Sequence, residues 1–134
     1  MLVIRDAIPA ITGARCRALI AQDFWANGQL VSNANVLFLQ VADGTWHRFF
    51  IDAGVLFWKT VDAPEPPRQH GDWDYRHADI AARWGLLDKR IVDVYTADLP
   101  RGGELRLIFE GSTIVVLRDV EDHATLIVER GGDA

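Results

Sequence analysis

Apolar and polar residues alternate along most of this chain, and the breaks in that alternation define its other elements. The first break runs from Ala14 to Asn27. There Cys16, Leu19, Ile20 and Phe24 recur at three- and four-residue steps, which gathers side chains on one face of a helix. Arg15, Arg17, Gln22 and Asp23 fall mostly elsewhere. Thr12 is a candidate N-cap, Ile8 before Pro9 is disfavoured in helix, and Asn27-Gly28 supplies a stop. The spacing predicts an N-terminal helix.

Strand periodicity takes over at Val36. Asp43-Gly44 separates the apolar-rich runs 36–42 and 45–52, and Ala53-Gly54 leads into a third, 55–61. Asp-Gly between apolar runs is a strong hairpin signal, because a type I′ turn needs positive φ at both central positions. Residues 36–61 are therefore predicted to form a three-stranded antiparallel meander. With two-residue loops at both turns, Val36, Phe38, Phe49, Ile51, Leu56 and Trp58 share one wholly apolar face, the expected core. The other face mixes Leu37, Leu39, Val41, Trp46, Phe50 and Phe57 with Arg48, Asp52 and Lys59. Another part of the chain or a partner must cover such a face, and internal cover is expected because large exposed apolar patches are rare on monomers.

Pro64, Pro66 and Pro67 then exclude helix and interior strand, so the stretch 63–74 reads as a loop. A loop of that length without structure of its own is uncommon unless it is functional or mobile. A short helix from Ala78 to Trp84 follows, with Asp79 in its first turn, Ile80 and Trp84 on one side and Gly85 as its stop. Strands are expected at 90–96, 104–109, 113–117 and 124–129, with a turn at 99–103 and a type II′ candidate at Gly111-Ser112. The fold class predicted is α+β: a mostly antiparallel sheet of about six to seven strands, an N-terminal helix and a short mid-chain helix. All 134 residues fit one domain, with 1–8 and 130–134 expected to fray.

Composition narrows the function. Nineteen acidic against fourteen basic residues give a net charge of −5, unlike the basic face of a nucleic-acid binder. Acidity suits solubility or a basic protein partner. Cys16 is the only cysteine, so no intrachain disulfide forms and multi-thiolate zinc sites are excluded. No apolar run approaches the length of a membrane span, and Met1–Asp6 lacks the features of a signal peptide. A cytoplasmic protein, monomeric or weakly dimeric, without nucleic-acid or membrane partners, is expected.

Catalytic chemistry has few candidates. His70, Asp72, Asp74, His77 and Asp79 offer ligand types suited to zinc, iron or manganese, but at no recognised metal-site spacing, and a solvated loop is the simpler reading. Ser32 and Ser112 lack a nucleophile elbow, and Cys16 falls on the expected buried stripe. Asp52, Asp62, Asp72 and Asp74 define no paired-carboxylate geometry, and Arg101-Gly102-Gly103 lacks the lysine and hydroxyl of a phosphate loop. No enzyme activity and no cofactor are expected. Five tryptophans point instead to recognition. Asp62, Glu65, Asp72, Trp73, Asp74, Tyr75 and Asp79 form the predicted partner-binding set, an acidic loop with Trp73 as its exposed anchor.

The blocks Asn35–Leu39, Asp43–Arg48, Phe50–Gly54 and Phe57-Trp58 resemble small bacterial immunity proteins of contact-dependent inhibition and related toxin systems. The resemblance covers about residues 30–60 and carries over no functional residue. It implies a cytoplasmic protein that binds and blocks one cognate toxin domain, often a nuclease. The alternative is a small metal- or ligand-binding enzyme using the His70–Asp79 cluster.

Overall fold

A computed structural model describes residues 3–5, as backbone only, and residues 11–130. Ile8-Pro9 and most of the two ends expected to fray lie outside the described residues. Strands dominate: β1 (Val3–Arg5), β2 (Cys16–Ala26), β3 (Gln29–Val41), β4 (Trp46–Asp52), β5 (Val55–Val61), β6 (Arg68–His70) and β7 (Trp73–Asp79) precede α1 (Ile80–Trp84), the one helix among the described residues. Strands β8 (Ile91–Leu99), β9 (Gly102–Phe109), β10 (Thr113–Val120) and β11 (His123–Arg130) follow. The first seven form one sheet in the order β1-β5-β4-β3-β2-β7-β6, and the last four form a meander of their own. Among the described residues all strand pairings are antiparallel except β1 with β5. The expected α+β class is thus overturned: the protein is nearly all β.

The N-terminal helix does not form. Residues 16–26 are instead a strand held between β3 and β7. Its three-residue step comes from a bulge: Cys16 pairs with Val41 but Ala18 with Gln40, so Arg17 is extra. That extra residue returns Cys16 and Leu19 to the same side of the strand. Ile20 and Phe24 point to the other side, so the supposed stripe is two faces superposed. Asn27-Gly28, read as a helix stop, is a hairpin turn with φ of 52° and 75°, the positive pair that a type I′ turn requires. Thr12 sits in a turn and caps nothing.

The meander 36–61 forms, with one register correction. Val41 N–H donates to Thr45 O and Gly44 N–H to Val41 O, which closes a three-residue loop at Ala42-Asp43-Gly44. Leu37 therefore pairs with Phe49 and Leu39 with His47. The slip by one residue exchanges the faces of β3. Leu37, Leu39 and Val41 join Phe49, Ile51, Leu56 and Trp58 in the core, while Val36 and Phe38 turn to the mixed face with Arg48 and Phe50. The second turn, Ala53-Gly54, has two residues as expected, and Phe49 pairs with Trp58. In the final third the Gly111-Ser112 turn is likewise a three-residue loop, since Phe109 pairs with Thr113.

The inner face of the seven-stranded sheet packs on Leu105, Leu107, Phe109, Val115 and Leu117 of the meander. Polar bonds join the two sheets on both sides. Ser32 Oγ donates to Ala124 O and Leu126 N–H to Asn33 Oδ1. At the other side Cys16 N–H donates to Lys89 O and Ile91 N–H to Ala14 O. Helix α1 is one short turn, N-capped by Asp79, whose carboxylate accepts Ala82 N–H at 3.0 Å, and ended by Gly85 at φ 67°. Among the described residues no helix is long and apolar enough to cross a membrane.

Candidate functional site

The expected loop 62–79 divides into an irregular arm, 62–67, and the β6–β7 hairpin. The hairpin turns at Gly71-Asp72 and pairs fully with β2, so it extends the sheet. Asn27 N–H donates to Asp72 O at 2.6 Å, tying the hairpin tip to the neighbouring β2–β3 turn. This pairing places Phe24, Trp73, Tyr75 and His70 together on the outer face of the sheet. Ring centroids lie 5.2 Å apart for Phe24–Tyr75, 5.4 Å for Trp73–Tyr75 and 5.1 Å for His70–Trp73. None of these rings belongs to the core cluster. Trp73, the expected exposed anchor, is half-buried within this group.

The seven predicted contact residues do not form one acidic patch. Glu65 pairs with Arg48, Asp74 with Arg76, and Asp79 caps α1. Asp62 lies at the end of β5 near Asp43 and Thr60. Asp62 and Asp72 are exposed and form no salt bridge with a described residue. Tyr75 and Glu65 meet at a cavity on the outer face, described below. His70 and His77 sit at opposite ends of the hairpin's aromatic face, one against Trp73 and the other 6.4 Å from Phe38. Among the described residues no group of three or more His, Cys, Asp or Glu is placed to hold a metal ion.

Cys16 is buried, and loss of solvation pushes its thiol up to about 12, outweighing the opposing Ala18 backbone hydrogen bond. A thiol so raised is a poor nucleophile.

Unpaired polar groups concentrate on β2 and β7. Trp25 Nε1 and His77 Nε2 are fully occluded without a hydrogen-bond partner. Gln22, the cross-strand neighbour of His77, is 5% exposed, and its amide bonds to no described residue. Sequence reasoning missed Gln22 because it assigned that position to the polar side of a helix. Arg76 lies over the Trp25 ring at 4.1 Å on the opposite face of the same strand pair.

None of the protein-family models, curated proteins or solved structures compared with the chain matches it.

Proposed function

We propose that the chain is an immunity-type binding protein that neutralises a cognate toxin domain in the cytoplasm by docking on it. The observation that carries this reading is the aromatic group Phe24, Trp73, Tyr75 and His70, which lies outside the core at the tip of two tied hairpins. Aromatic anchors outside the core are the usual material of binding hot spots. Leu30 and Val31, both exposed on the adjoining turn of β3, add apolar surface at that tip. Asp72 at the tip and Asp62 on the arm carry charge that no described side chain pairs, which suits a basic partner and its electrostatic steering.

The test is binding kinetics with a toxin domain encoded beside this gene. Trp73→Ala is expected to weaken the complex by about 2 kcal/mol or more, chiefly through faster dissociation. Asp72→Lys is expected to slow association and flatten its salt dependence. Normal binding and neutralisation by both variants would overturn the reading.

A further inference from the structure

A cavity of about 310 Å³ opens on the outer face of the seven-stranded sheet, toward the low end of the range that holds small ligands. Its lining includes Gln22 from β2, Phe50 from β4 and Tyr75 from β7, with Glu65 of the proline-rich arm at its edge. Arg48 on β4 and Arg68 on β6 approach from its two sides, since β3, β2 and β7 lie between their strands. The arm thus supplies part of the cover expected for this face, and it leaves a hole.

The polar groups of the cavity are not paired as a structural cluster would be. Gln22 is more than nine-tenths buried and lines the cavity with an amide that no described residue satisfies. Unlike His77 Nε2, this amide is not fully occluded, so it opens to the cavity and to whatever bonds it there. Arg68 makes no ion pair with any described residue. Arg48 holds Glu65 through Nε at 3.1 Å, but the Glu65 side chain is half exposed, and such pairs contribute little and exchange readily. Two guanidiniums and an amide facing a cavity with ring walls match one ligand chemistry. Arginine binds carboxylates through parallel N–H donors, and Phe50, whose ring carries Arg48 at 5.8 Å, and Tyr75 supply ring walls beside a flat apolar body.

The geometry points to a binding site for a small organic carboxylate with a planar apolar body, its carboxylate held by Arg48 and Arg68 and bonded by Gln22. Glu65 occupies Arg48 when the site is empty and yields it to the incoming carboxylate. This site goes beyond the partner reading and is tested apart from it.

The experiment is an NMR titration of the whole protein with benzoate, with neutral benzamide and with inorganic phosphate as probes. Benzoate is expected to shift the side-chain signals of Gln22, Arg48 and Arg68 and to saturate at about 0.1–1 mM, a reasonable affinity for so small a ligand. Benzamide should bind at least about tenfold more weakly, as should benzoate to Arg68→Ala, because each loses the charged pair. Glu65→Gln should tighten benzoate binding by removing its competitor. Arg68 and Glu65 are both exposed, so unchanged signals from the core will show that these variants fold. Equal binding of benzoate and benzamide overturns the site, and so does benzoate binding indifferent to Arg68→Ala. Phosphate moving the same signals as strongly reduces it to an unselective anion patch. None of these results touches the complex tested through Trp73.

Discussion

The two faces of the seven-stranded sheet use polar residues in opposite ways. On the inner face the core is interrupted by a single ring, His47, and that ring is satisfied: Trp58 Nε1–H donates to His47 Nδ1 at 3.1 Å. Elsewhere, too, burial comes with partners. Burial pushes the Glu104 carboxyl up, but the hydrogen bonds and charges of Arg106 and Arg118 outweigh it and hold the group below its ordinary range. On the outer face Phe38 and Val36 are as buried as core residues, yet Gln22 and His77 Nε2 between β2 and β7 have no described partner. Packing and pairing explain the inner face except at Trp25 Nε1, which is occluded without a partner. The outer face leaves polar groups open at a cavity that something outside the chain can complete.

The comparison can be broken by truncation. Phe49 is fully buried and pairs across strands with Trp58 at 4.9 Å between ring centroids. Phe49→Ala should cost about 3–5 kcal/mol in urea unfolding, the transfer and cavity cost of a buried aromatic. Phe50, one residue along on the partly exposed face, should lose only about 1 kcal/mol on the same change. Equal losses would mean that both faces are core, and the cavity a packing defect.

Alternation made the inner face legible from β4 onward. Phe49, Ile51, Leu56 and Trp58 fall on the expected side because the Ala53-Gly54 turn has the length its residues predict. The β3 face was misassigned because Asp43-Gly44 fits both two- and three-residue loops, and one extra residue exchanges Phe38 for Leu37. The strand at 16–26 was hidden by its bulge at Arg17, which manufactures a helical step, and Asn27-Gly28 ends helices and hairpins alike. The candidate site was only partly visible. Trp73, Tyr75 and Glu65 stand out by residue type, whereas Gln22, Arg48 and Arg68 come together only through pairings across β2, β4 and β6. No local pattern records such pairings.

The inner-face hydrogen bond makes a pH prediction. Burial lowers the pKa of His47 from its ordinary value of 6.5, opposed only in part by Asp43. As an acceptor at Nδ1 the folded ring is neutral, with its proton on Nε2. The unfolded chain takes up a proton as pH falls below about 6.5, before the folded one does, so the His47 contribution is complete above that pH. It is lost progressively as pH falls toward the folded pKa. His47→Leu should cost about 1–3 kcal/mol at neutral pH, since it leaves the Trp58 N–H unpaired. The difference between parent and variant should shrink between pH 6.5 and 5 in urea unfolding. A gap that is constant across that range would show that His47 titrates alike in both states.

The smallest effect expected is close to zero in stability, and for that reason it discriminates best between the two faces. Gln22→Met keeps the length of the side chain and removes the amide. If the amide were structural, the change would cost stability, as a lost partner does on the inner face. With no described partner to lose and an amide that is not fully occluded, the free protein gives up little either way. The change should therefore stay within about 0.5 kcal/mol of neutral in urea unfolding without ligand. The variant should at the same time bind benzoate more weakly, because the contact from Gln22 is gone. Binding would then fall without a matching loss of stability on substitution of one residue, as expected of a group retained for a ligand. A loss of stability with unchanged benzoate binding would place Gln22 among the packing residues and make the two faces alike.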